Sequence, residues 1–122
     1  MPSATPHLSE ADVMQTLTDA LTLYNYRWVH FQPAQRKDGR WVTPYTGDDA
    51  FIDIIAVKEG RGLAIEAKGS RGEKEPPPSR IADRLRREQQ KEWLRLFGTV
   101  AGVTSLFVGP STLDAALEEI AR

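Results

Sequence analysis

Two carboxylates and a lysine carry the chemistry this sequence could do. Asp53 lies in Phe51-Ile52-Asp53-Ile54-Ile55-Ala56-Val57, and Glu66 and Lys68 lie in Gly62-Leu63-Ala64-Ile65-Glu66-Ala67-Lys68. Both runs are aliphatic and are joined by Lys58-Glu59-Gly60-Arg61, so they read as adjacent strands of a hairpin. With Glu59-Gly60 as a two-residue turn, Lys58 pairs with Arg61, Val57 with Gly62, Ile54 with Ile65 and Asp53 with Glu66. Opposed residues share one face, with Cβ atoms ~4.5–5.5 Å apart. Lys68, two residues past Glu66, emerges on that face too. A three-residue turn instead slips the pairing by one and points Asp53 away.

Two opposed carboxylates amid Ile52, Ile54, Ile55, Val57 and Ile65 repel, and a plain structural sheet gains nothing from them. A hard divalent cation removes the objection. Mg²⁺ prefers one or two carboxylates completed by waters and substrate phosphates. Such an ion lowers the pKa of a bound water and neutralises charge on a scissile phosphate. A neighbouring ammonium can orient that water or hold the phosphate. The competing reading leaves both acids at strand ends in water, with Lys68 paired to one of them. Hairpin geometry alone holds the two readings level.

The surrounding elements must deliver that face. Residues 9–24 read as a helix with Ser9 as N-cap, Asp12 completing a capping box, and Val13, Leu17, Leu21 and Tyr24 on one apolar stripe. Residues 26–31 read as a strand, and 33–49 as loop with a short extended piece at Trp41-Val42-Thr43. The two central strands are apolar on both faces, as for strands covered by helices. Residues 69–79 hold Gly69, Gly72 and Pro76-Pro77-Pro78 and read as a mobile loop outside the sheet. Residues 80–97 form a second helix with Ile81, Leu85, Trp93 and Phe97 inward. Residues 104–108 form a further strand, and Ser111 caps a last helix through Ile120. The order α-β-β-β-α-β-α predicts an α/β sandwich around a central mixed sheet.

The bulk properties bound the answer. At 122 residues the chain holds one domain, preceded by a mobile tail over residues 1–8. Cysteine is absent, which removes disulfides, zinc–thiolate sites and thiol nucleophiles. No apolar run reaches membrane-helix length and the first residues lack a signal-peptide core, so a cytoplasmic protein with no membrane partner is expected. Net charge is −1, yet residues 68–95 hold nine Lys and Arg against five acids, and residues 27–47 hold four against one. A basic face is therefore available within an acidic total.

Gly47-Asp48-Asp49-Ala50-Phe51-Ile52-Asp53, then Ile65-Glu66-Ala67-Lys68, then Gln90-Lys91-Glu92-Trp93 resemble the PD-(D/E)xK nucleases. Within them the chain looks most like the virus-type replication-repair nuclease group, VRR-NUC. That family shows a Gly ahead of a Pro-Asp strand, a Glu-x-Lys strand and a Gln-x-x-Trp helix. Ile52 stands where the family usually has Pro; proline there shapes the strand and does no chemistry. The resemblance implies a restriction-endonuclease-like fold. It implies a divalent-metal-dependent DNA endonuclease using Mg²⁺ or Mn²⁺, structure-selective for branched or Holliday-junction DNA, in DNA repair or a phage-infected cell. It assigns the metal to Asp53, Glu66 and the Ala67 carbonyl, and support of the attacking water to Lys68, with Gln90 beside it. A restriction-type or single-strand nuclease on the same fold, and a catalytically silent DNA-binding module, are the alternatives.

Other residues have two readings each. Glu10 falls on the buried stripe of the first helix, where family members often carry a Glu that reaches the metal; otherwise it is a first-turn acid favoured by the helix dipole. Helical phase alone does not separate Gln90 from Gln89. Arg71 and Lys74 follow Lys68 closely enough to meet a DNA backbone. Arg80, Arg84 and Arg87, with Arg86 and Lys91, either track phosphates or form a solvated helix face. Trp93 reads as core, His30 as a strand residue and His7 as part of the tail. A protein this small offers little surface to a junction, so a homodimer is expected.

Overall fold

The N-terminal helix forms where its capping signals place it. The computed structural model describes residues 7–31, 34–42, 47–48, 50–74 and 76–122. Expectations touching residues 1–6, Pro33, Thr43, Pro44, Asp49 and Glu75 lie outside them. Helix α1 spans Glu10–Leu23. Ser9 Oγ accepts from the Asp12 N–H at 3.0 Å, and Asp12 returns the bond to the Ser9 N–H at 3.1 Å. This reciprocal box satisfies two of the orphan donors at the helix start. The expected mobile tail stops short of residue 8, because the Leu8 N–H donates to Ser70 Oγ at 2.9 Å and the Leu8 carbonyl accepts from Ser70 N at 2.8 Å.

Four strands form the main sheet: β1 (Arg27–His30), β4 (Ile54–Lys58), β5 (Arg61–Ala67) and β6 (Val103–Val108), in the order β1-β4-β5-β6. A separate two-stranded ladder pairs β3 (Trp41–Val42), where a short extended piece was expected, with β2 (Ala34–Gln35), which was expected to be loop. Pairing of β1 with β4 and of β4 with β5 is antiparallel, and β5 with β6 is parallel, so the sheet is mixed. The parallel pair needs a crossover, supplied by α2 (Ile81–Phe97). Helix α3 (Leu113–Ala121) closes the chain. Ser111 does not cap it: Thr112 is the N-cap, without a side-chain cap bond, while the Ser111 N–H donates to Glu73 Oε1 at 3.0 Å.

The layers follow from side-chain alternation. One face of the sheet carries Ile54, Ala56, Leu63, Ile65 and Ala67, and α1 and α3 cover it with Val13, Leu17, Leu21, Leu113 and Ile120. The opposite face carries Ala64, packed with Ile52 and Leu94 against Phe51, Trp93, Phe97 and Phe107. Strand β5 is buried along almost its whole length, as a strand with helices on both faces must be. Helix α2 departs from the expected phase. Ile81 and Leu85 are exposed at 67% and 54%, and the buried residues of α2 are Arg87, Gln90 and Leu94. The segment 72–74 meets the helix at Arg87, whose guanidinium bonds its backbone carbonyls, while residues 81–86 are exposed. Among the described residues no helix is long and apolar enough to cross a membrane.

Candidate active site at the end of the central hairpin

The hairpin has the two-residue turn. Gly60, the second turn residue, adopts φ 77°, a left-handed conformation that glycine takes without steric cost. Lys58 pairs with Arg61, Val57 with Gly62 and Ile54 with Ile65. The ladder stops there. Asp53 sits in a bend just ahead of β4, where its N–H donates to the Ile65 carbonyl at 3.1 Å and its carbonyl accepts from Phe31 N at 2.7 Å. Its side chain then does what the backbone no longer does: Asp53 Oδ2 accepts from the Ala67 N–H at 2.8 Å. That bond carries the carboxylate across the end of β5 and fixes it beside Glu66.

Glu66 projects to the α2 side with only 1% of its surface exposed. Its Oε2 meets Lys68 Nζ at 2.9 Å. Its Oε1 is buried with no hydrogen-bond partner. Lys68 Nζ also donates to Gln90 Oε1 at 3.3 Å, and Gln90 Nε2 reaches the Phe51 carbonyl at 3.5 Å. The structure thus separates the two glutamines: Gln90 is buried against the site, while Gln89 is exposed.

Burial pushes the Glu66 carboxyl up to about 8, the Asp53 charge adds to the rise, and Lys68 opposes it. Asp53 is raised as well, first by burial, against the pull of the Ala67 N–H and of Lys68. Burial is the first cause of both shifts, and contact between the two carboxyls splits them, holding Asp53 down and pushing Glu66 up. A proton or a cation must supply the missing positive charge. An oxygen-only donor set suits a hard divalent ion, and the unpartnered Glu66 Oε1 is a ready ligand. Ala67 fits as well, because a strand residue turns its N–H and C=O to the same side, here the side of Asp53. Among the described residues no three His, Asp or Glu side chains form a complete cage, so waters or a substrate phosphate would fill the remaining positions.

Glu10, in the first turn of α1, comes into electrostatic range of Asp53 and Lys68; crowding by neighbouring atoms and the Asp53 charge raise its carboxyl, and Lys68 lowers it. The cause is the docking of α1. A Cβ at Gly69 would lie 2.4 Å from Glu10 N and 2.7 Å from the Ser9 carbonyl carbon, so only glycine lets the helix start approach the end of β5. His30, read from sequence as a plain strand residue, also lies close enough to Asp53 to lower its pKa.

Beside Lys68 opens a cleft of about 280 Å³, whose lining includes Lys68, Arg71, Lys74, Arg80, Arg86 and Gln90. Asp83 also lines it and pairs with Arg80 at 3.8 Å. Two expectations change. Arg87, expected to contact nucleic acid, is part of the cleft wall, but it is 8% exposed and its guanidinium is bound to backbone carbonyls of residues 72–74. Arg84 is exposed but is not among the residues lining the cleft. Arg86, read from sequence as either a phosphate contact or part of a solvated helix face, lines the cleft, one helical turn before the site residue Gln90. The loop at 69–79, expected to be mobile, is tied down in its described part by Arg87 and by Glu73, whose carboxylate accepts from the Ser111 N–H and hydroxyl.

No family model, no curated protein and no solved structure matches the chain.

Proposed function

We propose that this chain is a divalent-metal-dependent nuclease with a restriction-endonuclease-like fold, of the PD-(D/E)xK type, that hydrolyses DNA phosphodiester bonds. The observation that carries the reading is the buried carboxylate pair. Asp53 is fixed at the end of β5 by the Ala67 N–H, and Glu66 beside it has an unpartnered oxygen and a carboxyl raised to about 8. Burying two acids together is costly without a cation, and strongly perturbed acids beside a cleft are candidates for a functional site.

Asp53, Glu66 and the Ala67 carbonyl would hold Mg²⁺ or Mn²⁺. The bound ion supplies a more acidic water and a counter-charge for the phosphate. The protein's own groups do the rest. Lys68 Nζ, held by Glu66 at 2.9 Å and Gln90 at 3.3 Å, would orient the attacking water or hold a phosphate oxygen. Gln90 restrains the lysine head without adding charge. Arg71, Lys74, Arg80 and Arg86 in the adjoining cleft would take the flanking phosphates, a contact that positions DNA without reading its sequence. Branched or junction DNA is the substrate proposed, cut by a homodimer that sets two sites across two strands, in the cytoplasm and in a repair or phage setting.

The test is incubation of the full chain with linear duplex, single-stranded, flap and four-way-junction DNA, in Mg²⁺, Mn²⁺ or EDTA. Cleavage is expected with metal and lost in EDTA. Asp53→Asn and Glu66→Gln are each expected to lower the rate on the order of 10²–10⁴-fold. Undiminished cutting by both variants would overturn the site. Binding without cutting would point to a DNA-binding module.

A further inference from the structure

Arg87 is a charged side chain buried in the middle of α2, at 8% exposure. Burying a guanidinium is expensive unless its donors are used. Here Nη1 donates to the Gly72 carbonyl at 3.1 Å and to the Lys74 carbonyl, and Nη2 donates to the Glu73 carbonyl at 2.7 Å. The planar group also lies over the Phe107 ring of β6, 5.0 Å from its centroid. Three successive carbonyls are therefore gripped by one rigid fork, which a lysine could not reproduce.

The gripped segment is not remote. Residues 72–74 follow Lys68, and a Cβ at Gly72 would lie 3.4 Å from Lys68 Cδ, so the segment packs along the stem of the site lysine. Arg71 and Lys74 bracket the clamp, and both line the cationic cleft. From the other side, the Glu73 carboxylate is bound to the Ser111 N–H and hydroxyl. Arg87 also precedes Gln90 by one helical turn, so one helix holds Lys68 through Gln90 and the following segment through Arg87. A chain rich in glycine has little preference of its own for this path.

We propose, resting on the nuclease reading, that Arg87 is a positioning residue for the substrate: it clamps residues 72–74 so that Arg71 and Lys74 face the cleft as a preformed phosphate-binding wall. It touches no substrate itself. Without the clamp both cations remain in the sequence but lose their fixed geometry.

The test compares wild type, Arg87→Met and Arg87→Lys as full-length chains. The first readout needs no activity: trypsin nicking after Arg71 and Lys74, followed by mass spectrometry against nicking after Arg36 and Arg40 as internal reference. Arg87→Met is expected to accelerate nicking at the two clamped sites about tenfold over the reference, a ratio corresponding to ~1.4 kcal/mol of lost closure. The second readout is kinetic. KM for DNA is expected to rise about tenfold while kcat falls by less, since Gln90 and Glu66 still hold Lys68. The slope of log K against log salt should flatten by up to ~2, matching Arg71→Ala/Lys74→Ala. Arg87→Lys should behave like Arg87→Met, because one ammonium does not span three carbonyls, and it keeps the test available if the methionine variant fails to fold. Unchanged nicking in the folded variants, or a fall in kcat with KM and salt slope unchanged, overturns the proposal. Wild-type protein that neither binds nor cuts DNA overturns the nuclease reading instead, and the trypsin pattern then decides the clamp alone.

Discussion

At the scale of the residue, Glu66 governs how the protein responds to pH. Its carboxyl is raised from the ordinary value of 4.5 to about 8 in the folded state, first by burial and then by Asp53. The folded chain therefore holds a proton there that the unfolded chain has released over that interval. The sign follows: the contribution to stability is fully present below 4.5 and is lost as pH rises through about 8. The melting temperature of metal-free protein is expected to fall across this window, and Glu66→Gln is expected to remove that part of the slope. Saturating Mg²⁺ is expected to flatten it too, since the cation replaces the proton, and metal affinity should rise with pH across the same range. Calorimetric scans at several pH values, with and without Mg²⁺, check all three. At Lys68, replacement by Met removes the cation that Glu66 bonds; cleavage should fall on the order of 10²-fold or more, and Gln90→Ala by about tenfold.

The elements decide how exact a sequence reading can be. The hairpin was legible as far as its turn: a two-residue turn at Glu59-Gly60 fixes every pair behind it, down to Ile54 opposite Ile65, and only the choice between two and three turn residues was open in the sequence. The capping box at Ser9 and Asp12 was legible for a similar reason: both partners lie within one helical turn. What local pattern did not show is that the ladder ends before Asp53, and that Arg87 and Gln90 are the inward residues of α2 while Ile81 and Leu85 face water. Polar side chains buried against a polar site look like surface in any periodicity, because their partners come from a segment far along the chain. The docking of α1 gives the sharpest prediction at this scale. Gly69→Ala would force a methyl into Glu10 N and the Ser9 carbonyl carbon. A loss of about 1–3 kcal/mol is expected, read by denaturant unfolding, and the α1 start should move away from Lys68. Ser9→Ala, which removes only the cap bond, should cost ~1 kcal/mol.

For the molecule as a whole, the site depends on the core beneath it. Leu17, Leu21, Ile54, Leu63, Ile65 and Ile120 are fully or almost fully buried between α1, α3 and the sheet. Truncating Leu17 or Ile65 to Ala is expected to cost about 2–5 kcal/mol, a large part of the stability of a domain this size. Cleavage by whatever fraction stays folded should be little affected by Leu17→Ala, because that side chain lies beneath the sheet on the face away from Glu66 and Gln90. Activity normalised to folded protein, measured beside the unfolding curve, separates the two effects. The α/β architecture with a mixed central sheet was legible from element order. The charge of the cleft was only partly so, because the fold commits the Arg87 guanidinium to backbone carbonyls and leaves Arg84 outside the lining.

Asp53 has two carboxylate oxygens and the fold has already committed one of them. Oδ2 ends the sheet by taking the Ala67 N–H, and under the nuclease reading Oδ1 is the oxygen that would meet an ion. An asparagine here can keep the first task with its carbonyl oxygen while presenting an NH₂ group, a donor, at the second. Asp53→Asn should therefore fold with the native sheet end and repel the cation at one atom, whereas Asp53→Ala removes a strand terminator and a ligand together. Comparing their melting temperatures in EDTA tells how much of this side chain is architecture, and the asparagine variant alone then reports on the chemistry.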